Sequence, residues 1–323
     1  MLLHTDSQRY IRYLAAKRQI DDRSLSQSVW RKLRRRLRQA DRRGPLALIE
    51  MGGGIGTMFD RVLDWALTPR LRYTLIEENR DYLAEFESRL KPLPFISTDS
   101  ENRYHGQAPS GVTFTLEMSC DDIYAVIDDP DMFFKFDLVM AHAVMDLVNI
   151  AETLIGFQRL LRPGGLLYLT LNYDGVTCFL PQWEPEFEEK LMSRYHLSMD
   201  NRIIAGRSSG SSQSGRQLLL HLLSAKLPLI ALGNSDWIVC PKDGGYSQSE
   251  AFFLETIIHT IQRQLQKDSA VDQHQLARWA KHRITQIAAG ELIFMARNLD
   301  MLCGSASGNK PLYRGGESGK NAR

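Results

Sequence analysis

Cysteine is scarce: Cys120, Cys178, Cys240 and Cys303 are spread over a chain of 323 residues. Their separations match neither a disulfide framework nor the paired spacing of a zinc site, so no metal is expected and a reducing cytoplasm is the default compartment. Long apolar runs are missing too. No stretch approaches the ~20 residues that cross a bilayer, and residues 1–10 contain no apolar signal core. A secreted or membrane-spanning protein is therefore not expected. Nor does charge of one sign prevail, since 40 Lys and Arg oppose 38 Asp and Glu for a net charge of +2. No internal repeat is present. What remains is an ordinary globular composition, 43% hydrophobic and 24% charged, in a chain long enough for one large α/β domain with insertions.

The charge is nonetheless uneven. Arg31, Lys32, Arg34, Arg35, Arg36, Arg38, Arg42 and Arg43 lie close together against the single acid Asp41. One reading is a contact with nucleic acid or an acidic partner. The other, preferred here, is the solvated face of an amphipathic helix, because Val29, Leu33 and Leu37 recur every fourth residue and no aromatic residue interleaves within the run. Two helices are expected to open the chain, at 6–20 and 24–39, with Asp22 or Ser24 as candidate cap of the second.

After Gly44-Pro45 the pattern changes. Residues 46–50 form an apolar run ending in an acid, followed by a glycine cluster and a helical pattern over 55–67. Further strands are expected at 72–77, 112–117, 136–141, 165–171, within 227–239 and at 291–297, with helices at 79–90 and 150–161. Such alternation implies an α/β fold, a doubly wound, mostly parallel seven-stranded sheet with helices on both faces. Right-handed crossovers then align the carboxyl ends of the strands along one edge, where ligands bind. Residues 91–111, with Pro92 and Pro94, read as a surface loop, and 207–215 as a mobile polar loop. Helices are expected at 181–196, 248–266 and 272–288, and a disordered tail from Gly304. The chain thus divides into a helical extension over 1–43, a main domain over 44–303 with insertions around 173–215 and 241–289 that cover a substrate, and a tail over 304–323.

The glycine cluster reads Glu50-Met51-Gly52-Gly53-Gly54-Ile55-Gly56-Thr57. The dinucleotide pattern, with glycines at its first, third and sixth positions, fails in both registers. An acid followed by Gly-x-Gly-x-Gly fits without a gap through Glu50, Gly52, Gly54 and Gly56. This segment resembles the first motif of class I S-adenosylmethionine-dependent methyltransferases. Glycines tolerate positive φ and admit a ligand close to the backbone. The resemblance implies S-adenosylmethionine as cofactor, with Glu50 near its ammonium. It also implies a second acid, on the ribose hydroxyls, at the end of the next strand. Glu77 is the choice there and Glu78 the fallback. A third acid, Asp122, would meet the adenine amino group while Ile123 packs on the ring. Each acid alone is equally a helix cap or a solvated loop residue.

The resemblance extends to the fourth strand, Phe136-Asp137-Leu138-Val139-Met140-Ala141-His142, and to the turn Leu161-Arg162-Pro163-Gly164-Gly165, so it covers about residues 46–172. Relatives that methylate exocyclic base amines carry Asn/Asp-Pro-Pro-aromatic where this chain has Ala141-His142-Ala143-Val144, which argues against that chemistry. His142 at this edge is a candidate general base for a hydroxyl, phenol or thiol, or else a packing residue against the adenine. Tyr173 and Asp174 are further catalytic candidates, with a tight turn as their alternative role. Trp183, His196, Arg202, Arg207, Asp236, Trp237 and Tyr246 are candidates for a lid or substrate pocket. The leading expectation is methyl transfer to a small-molecule acceptor, at oxygen. Methylation of RNA or protein, and a non-catalytic cofactor-binding protein, stand as alternatives.

Overall fold

The architecture is given by a computed structural model and is described for residues 7–39, 44–100 and 102–305. Strand β1 (Leu46–Met51) is buried along its whole length, as expected of a strand covered on both faces. It pairs in parallel with β2 (Arg70–Ile76) on one side and β6 (Phe136–His142) on the other. Beyond these run β5 (Thr113–Ser119) and β7 (Leu161–Leu180), also parallel, so β5, β2, β1, β6 and β7 form a parallel centre.

The sheet has ten strands rather than the expected seven. Strand β12 (Ile293–Gly304) lies antiparallel on β7, with β10 (Leu229–Asn234) and β11 (Trp237–Val239) antiparallel on β12. At the other edge, β3 (Ile96–Ser100) and β4 (Arg103–Gln107) form a hairpin on β5. The surface loop expected over 91–111 is thus corrected. Tyr104 of β4 is fully buried and gives its hydroxyl to Glu87 at 2.5 Å. An edge hairpin needs few inward anchors, and its polar outward residues hide the strand pattern.

Side chains alternate along the central strands and feed two cores. Leu46 and Leu48 join α2 (Gln27–Gln39), α3 (Thr57–Asp64) and α4 (Arg80–Leu90) on one face. Ala47, Ile49 and Met51 join α5 (Ile123–Asp128), α6 (Ile150–Leu160) and α8 (Ser214–Ser224) on the other. A third cluster binds α7 (Pro185–Asp200), α9 (Gln248–Leu265) and α10 (Gln273–Ala289) around Phe253, Trp279 and Phe294.

Several boundaries differ from expectation. Strand β12 runs through Gly304, because Met301, Leu302 and Cys303 are buried between β7 and β10. The remaining tail, 306–323, lies outside the described residues, as do Asp41, Arg42 and Arg43. The loop expected over 207–215 begins as β9 (Arg207–Ser208), paired with β8 (Ile203–Ile204). Helix α1 (Ser7–Ser24) runs through both expected caps, Asp22 and Ser24, so neither starts α2, which begins at Gln27; Asp22 instead accepts from Arg61 Nε at 2.5 Å. That helix packs on α4, α9 and β11, across the carboxyl edge of the sheet.

Candidate functional site

In the order β5, β2, β1, β6, β7 the chain reverses direction between β1 and β6, the place where open parallel sheets hold ligands. The glycine loop leaves β1 at this point. Gly52, Gly54 and Gly56 have φ of 69°, 54° and 75°, a region other residues enter only with strain. Each glycine answers to a different neighbour. A Cβ on Gly56 would strike the Phe86 ring, and one on Gly52 would come 2.7 Å from Val144 Cγ2. On Gly54 it would meet only Leu14 Cδ1, at 3.4 Å, so this glycine faces room that the protein leaves open.

Glu77 is buried just beyond β2 and Glu78 is exposed. Glu77 Oε2 accepts from Gly54 N at 2.8 Å and Oε1 from Asn79 N at 3.0 Å. Burial raises its pKa against the pull of these donors. Glu50 lies beneath the loop, with Tyr73 donating to Oε2 at 2.5 Å. Burial pushes Glu50 up to about 8, so an ammonium brought close would favour its ionised form. Asp122 caps α5 through Oδ1, accepting from Tyr124 N at 2.6 Å, and Ile123 is half-buried beside it. Parallel pairing thus brings Glu50, Glu77 and Asp122 to one edge.

His142 ends β6 at that edge, with its side chain 7% exposed. Its Nδ1 is 2.8 Å from Thr170 Oγ1 on β7, and its Nε2 is 3.3 Å from Asp21 Oδ2 and 3.2 Å from Arg61 Nη1. Burial pushes His142 down to about 4, with Arg61 and Lys17 adding to the effect and Asp21 opposing it. The ring is neutral at pH 7. Asp21 is held at about 2 although its burial acts the other way, because Lys17, His142 and Arg61 surround it. Lys17 Nζ lies 2.6 Å from it, and Trp237 donates to it at 3.0 Å.

The candidates on β7 are held differently. Tyr173 pairs its hydroxyl with Thr177 Oγ1 at 2.7 Å and His196 Nε2 at 2.8 Å. Asp174 is fully buried and engaged at both oxygens. Arg216 donates to Oδ1 from its backbone N at 2.9 Å and from Nε at 2.8 Å, and Arg297 Nε reaches Oδ2 at 3.2 Å. It fastens a bulge of β7 to α8 and β12. Asp236 accepts from Asn298 N at 3.0 Å, Tyr246 donates to Leu292 O, and Trp183 stacks on His282. Arg207 lies over the Tyr124 ring at 4.1 Å. A cavity of about 720 Å³ opens between β7 and α7, lined by His196, Asp200 and Gln213 among others, and no glycine-loop residue lines it.

Sequence reasoning placed the first helix at 6–20 but missed that α1 (Ser7–Ser24) contributes to the site. Tyr10, Leu14, Lys17 and Asp21 all face the site, and nothing local marks them. A signal was available in the i, i+4 pair Lys17–Asp21 on the apolar side of the helix.

No family profile and no curated protein matches this chain. Among solved structures it is similar to a Bacillus halodurans C-125 protein assigned as a methyltransferase, with 12% identity over 84% of this chain and 98% of that one and a TM-score of 0.47. Geranyl diphosphate C-methyltransferase from Streptomyces coelicolor A3(2) is 11% identical over 85% of this chain and 80% of its own, with a TM-score of 0.41. Phosphoethanolamine N-methyltransferase 2 from Haemonchus contortus is 12% identical over 85% of this chain and 52% of its own, with a TM-score of 0.38.

Proposed function

We propose that this chain is an S-adenosylmethionine-dependent methyltransferase acting on a small-molecule acceptor, at oxygen. The observation that carries the proposal is the Glu77 carboxylate bonded to Gly54 N, with Gly54 facing open room at the strand-order reversal. The loop fits that cofactor: it offers bare backbone without a Cβ, and acids rather than the cations a phosphate would need. Gly52, Gly54 and Gly56 admit the ligand. Glu50 sits near its ammonium, Glu77 accepts from the ribose hydroxyls, Asp122 accepts from the adenine amine, and Ile123 packs on the ring. The cofactor supplies a methyl group activated by a sulfonium, which leaves as the neutral thioether when the acceptor oxygen takes the methyl.

The protein's own work is placement and removal of the acceptor's proton. His142 is the proposed proton acceptor, since it is neutral at pH 7 and stands at the end of β6. Tyr173 and Asp174 hold the β7 wall. The insertions around 173–215 and 241–289, with α1, cover the site and exclude water.

Calorimetric titration with S-adenosylhomocysteine tests the cofactor; absence of binding sinks the reading. His142→Ala should lower turnover by about 10²–10⁴ with cofactor affinity unchanged. The acid limb of the wild-type rate should lie near 4 rather than near neutrality. Full turnover in the variant would remove His142 from the chemistry.

A further inference from the structure

Arg202 follows α7 and is held at the base of the β8–β9 hairpin, its carbonyl accepting from Ser209 N at 3.1 Å. Its guanidinium Nε and Nη2 are buried, and neither has a hydrogen-bond partner among the described residues. Arg34 and Arg89 each bury only Nε without a partner, so among the described residues Arg202 alone buries both nitrogens of one edge unpartnered. Those two N–H groups point in parallel and match a carboxylate. The same edge of Arg194 is filled in that way, Nε to Asp268 Oδ2 at 2.7 Å and Nη2 to Oδ1 at 2.9 Å. Burying such donors without partners is costly, and a ligand that meets them removes the cost.

This unpartnered edge lies near the carboxyl end of β6. Asp146, on the segment after β6, places Oδ2 4.0 Å from Arg202 Nη2, close enough to attract but too far to hydrogen-bond. The hairpin's following loop rests on that segment, since a Cβ on Gly210 would come 2.7 Å from Asp146 Cα. Tyr10 of α1 stacks on Tyr82 at 5.5 Å and lies within electrostatic reach of Glu77, Asp146 and Arg202. Tyr195 also feels both Arg202 and Asp146, and burial pushes its phenol up to about 12. Both phenols therefore stay protonated and able to donate.

We propose that Arg202 receives a carboxylate of the methyl acceptor, side-on, on its unpartnered Nε and Nη2 beside Asp146. This rests on the methyltransferase reading and adds the acceptor's class, a carboxylic acid. Burial raises the pKa of Asp146, which lessens its opposition to a monoanion on Arg202. A phosphate dianion would set further negative charge against Asp146 and Glu77.

The test titrates the S-adenosylhomocysteine-saturated protein with acetate, glycolate, benzoate and 4-hydroxybenzoate, and with the corresponding amides, by saturation-transfer NMR. At least one carboxylate should bind and its amide should not. Arg202→Gln should weaken that binding by about tenfold or more, as expected for charge-assisted bonds, while S-adenosylhomocysteine affinity stays within about twofold. Arg202→Lys should retain part of it, and thermal unfolding checks that both variants fold. Equal carboxylate binding by wild type and Arg202→Gln overturns the proposal, and so does a lack of binding by any of the acids. A comparable loss of S-adenosylhomocysteine affinity in Arg202→Gln overturns it too, since the cofactor's own carboxylate would then occupy the edge. Failure of the wild type to bind S-adenosylhomocysteine sinks the methyltransferase reading instead, and the carboxylate arm is then read on the free protein.

Discussion

Asp21 and His142 are separated by 121 residues in the chain, yet Oδ2 of one stands 3.3 Å from Nε2 of the other. Through this contact α1 is clamped across the carboxyl edge of the sheet, next to the proposed methyl-transfer site. On the far side of the ring Nδ1 pairs with the Thr170 hydroxyl at 2.8 Å, and Arg61 Nη1 shares the Nε2 side with Asp21. Lys17 and Trp237 complete the cluster on Asp21, so the helix, β6 and β11 share one buried polar centre. Such a centre is costly to break at one member, because the others are left buried without partners.

That centre makes stability depend on pH. His142 titrates near 4 in the fold against an ordinary 6.5, so between these values the unfolded chain binds the extra proton. The contribution of His142 is then full above about 6.5 and declines as the pH falls toward 4, by about 3 kcal/mol in all, while Glu50, raised to about 8, acts in the opposite sense. Asp21, held at about 2, adds a loss below its ordinary 3.8. Urea unfolding at pH 7 and pH 4.5 should show the drop in the wild type and a smaller one in His142→Gln. An equal drop in both would assign it to other groups.

The glycines should separate fold from binding. At Gly56 a side chain meets the Phe86 ring, so Gly56→Ala should destabilise the protein. At Gly54 the space beyond the backbone is open apart from Leu14. Gly54→Val should cost about 1–2 kcal/mol from its positive φ and abolish cofactor binding while the protein stays folded. Retained affinity for S-adenosylhomocysteine in Gly54→Val would remove the loop from the site.

Glu77 and Glu78 give a register test. Glu77→Ala should lower cofactor affinity by about tenfold or more, by loss of a charge-assisted acceptor worth about 1.5–3 kcal/mol. Glu78→Ala should change little, since Glu78 is exposed and away from the loop hydrogen bonds. The reverse pattern, read by calorimetry, would shift the ribose acid by one residue.

The basic helix supplies a contrast of stability with charge. Leu33 of α2 is fully buried among Val29, Trp30 and Leu37, whereas Arg35, Arg36 and Arg38 are exposed. Leu33→Ala should cost about 2–5 kcal/mol. Replacing the three arginines by Gln should shift stability by at most about 0.5 kcal/mol each and leave S-adenosylhomocysteine binding intact. A loss of turnover confined to RNA substrates would instead make this face a nucleic-acid contact.

What the sequence determined by itself is local or periodic. Short apolar runs between helical patterns placed each strand of the parallel centre, and the acids at their ends are legible because a strand end is defined by a few neighbouring residues. Parallel pairing then carried Glu50, Glu77, Asp122 and His142 to one edge without further information. Contacts between distant segments had no such signature. The β3–β4 hairpin was hidden because an edge strand needs few inward side chains, Tyr104 among them. Asp174 reads as a turn residue or a catalytic acid until Arg216 and Arg297 are seen on its carboxylate. Asp21 is one more helix acid until α1 is folded onto His142, and Arg202 one of seven pocket candidates until its Nε and Nη2 are found buried without partners. Charge and hydrogen-bonding capacity belong to a residue, but whether they are spent on the protein or kept for a ligand depends on what the tertiary fold brings within about 3 Å.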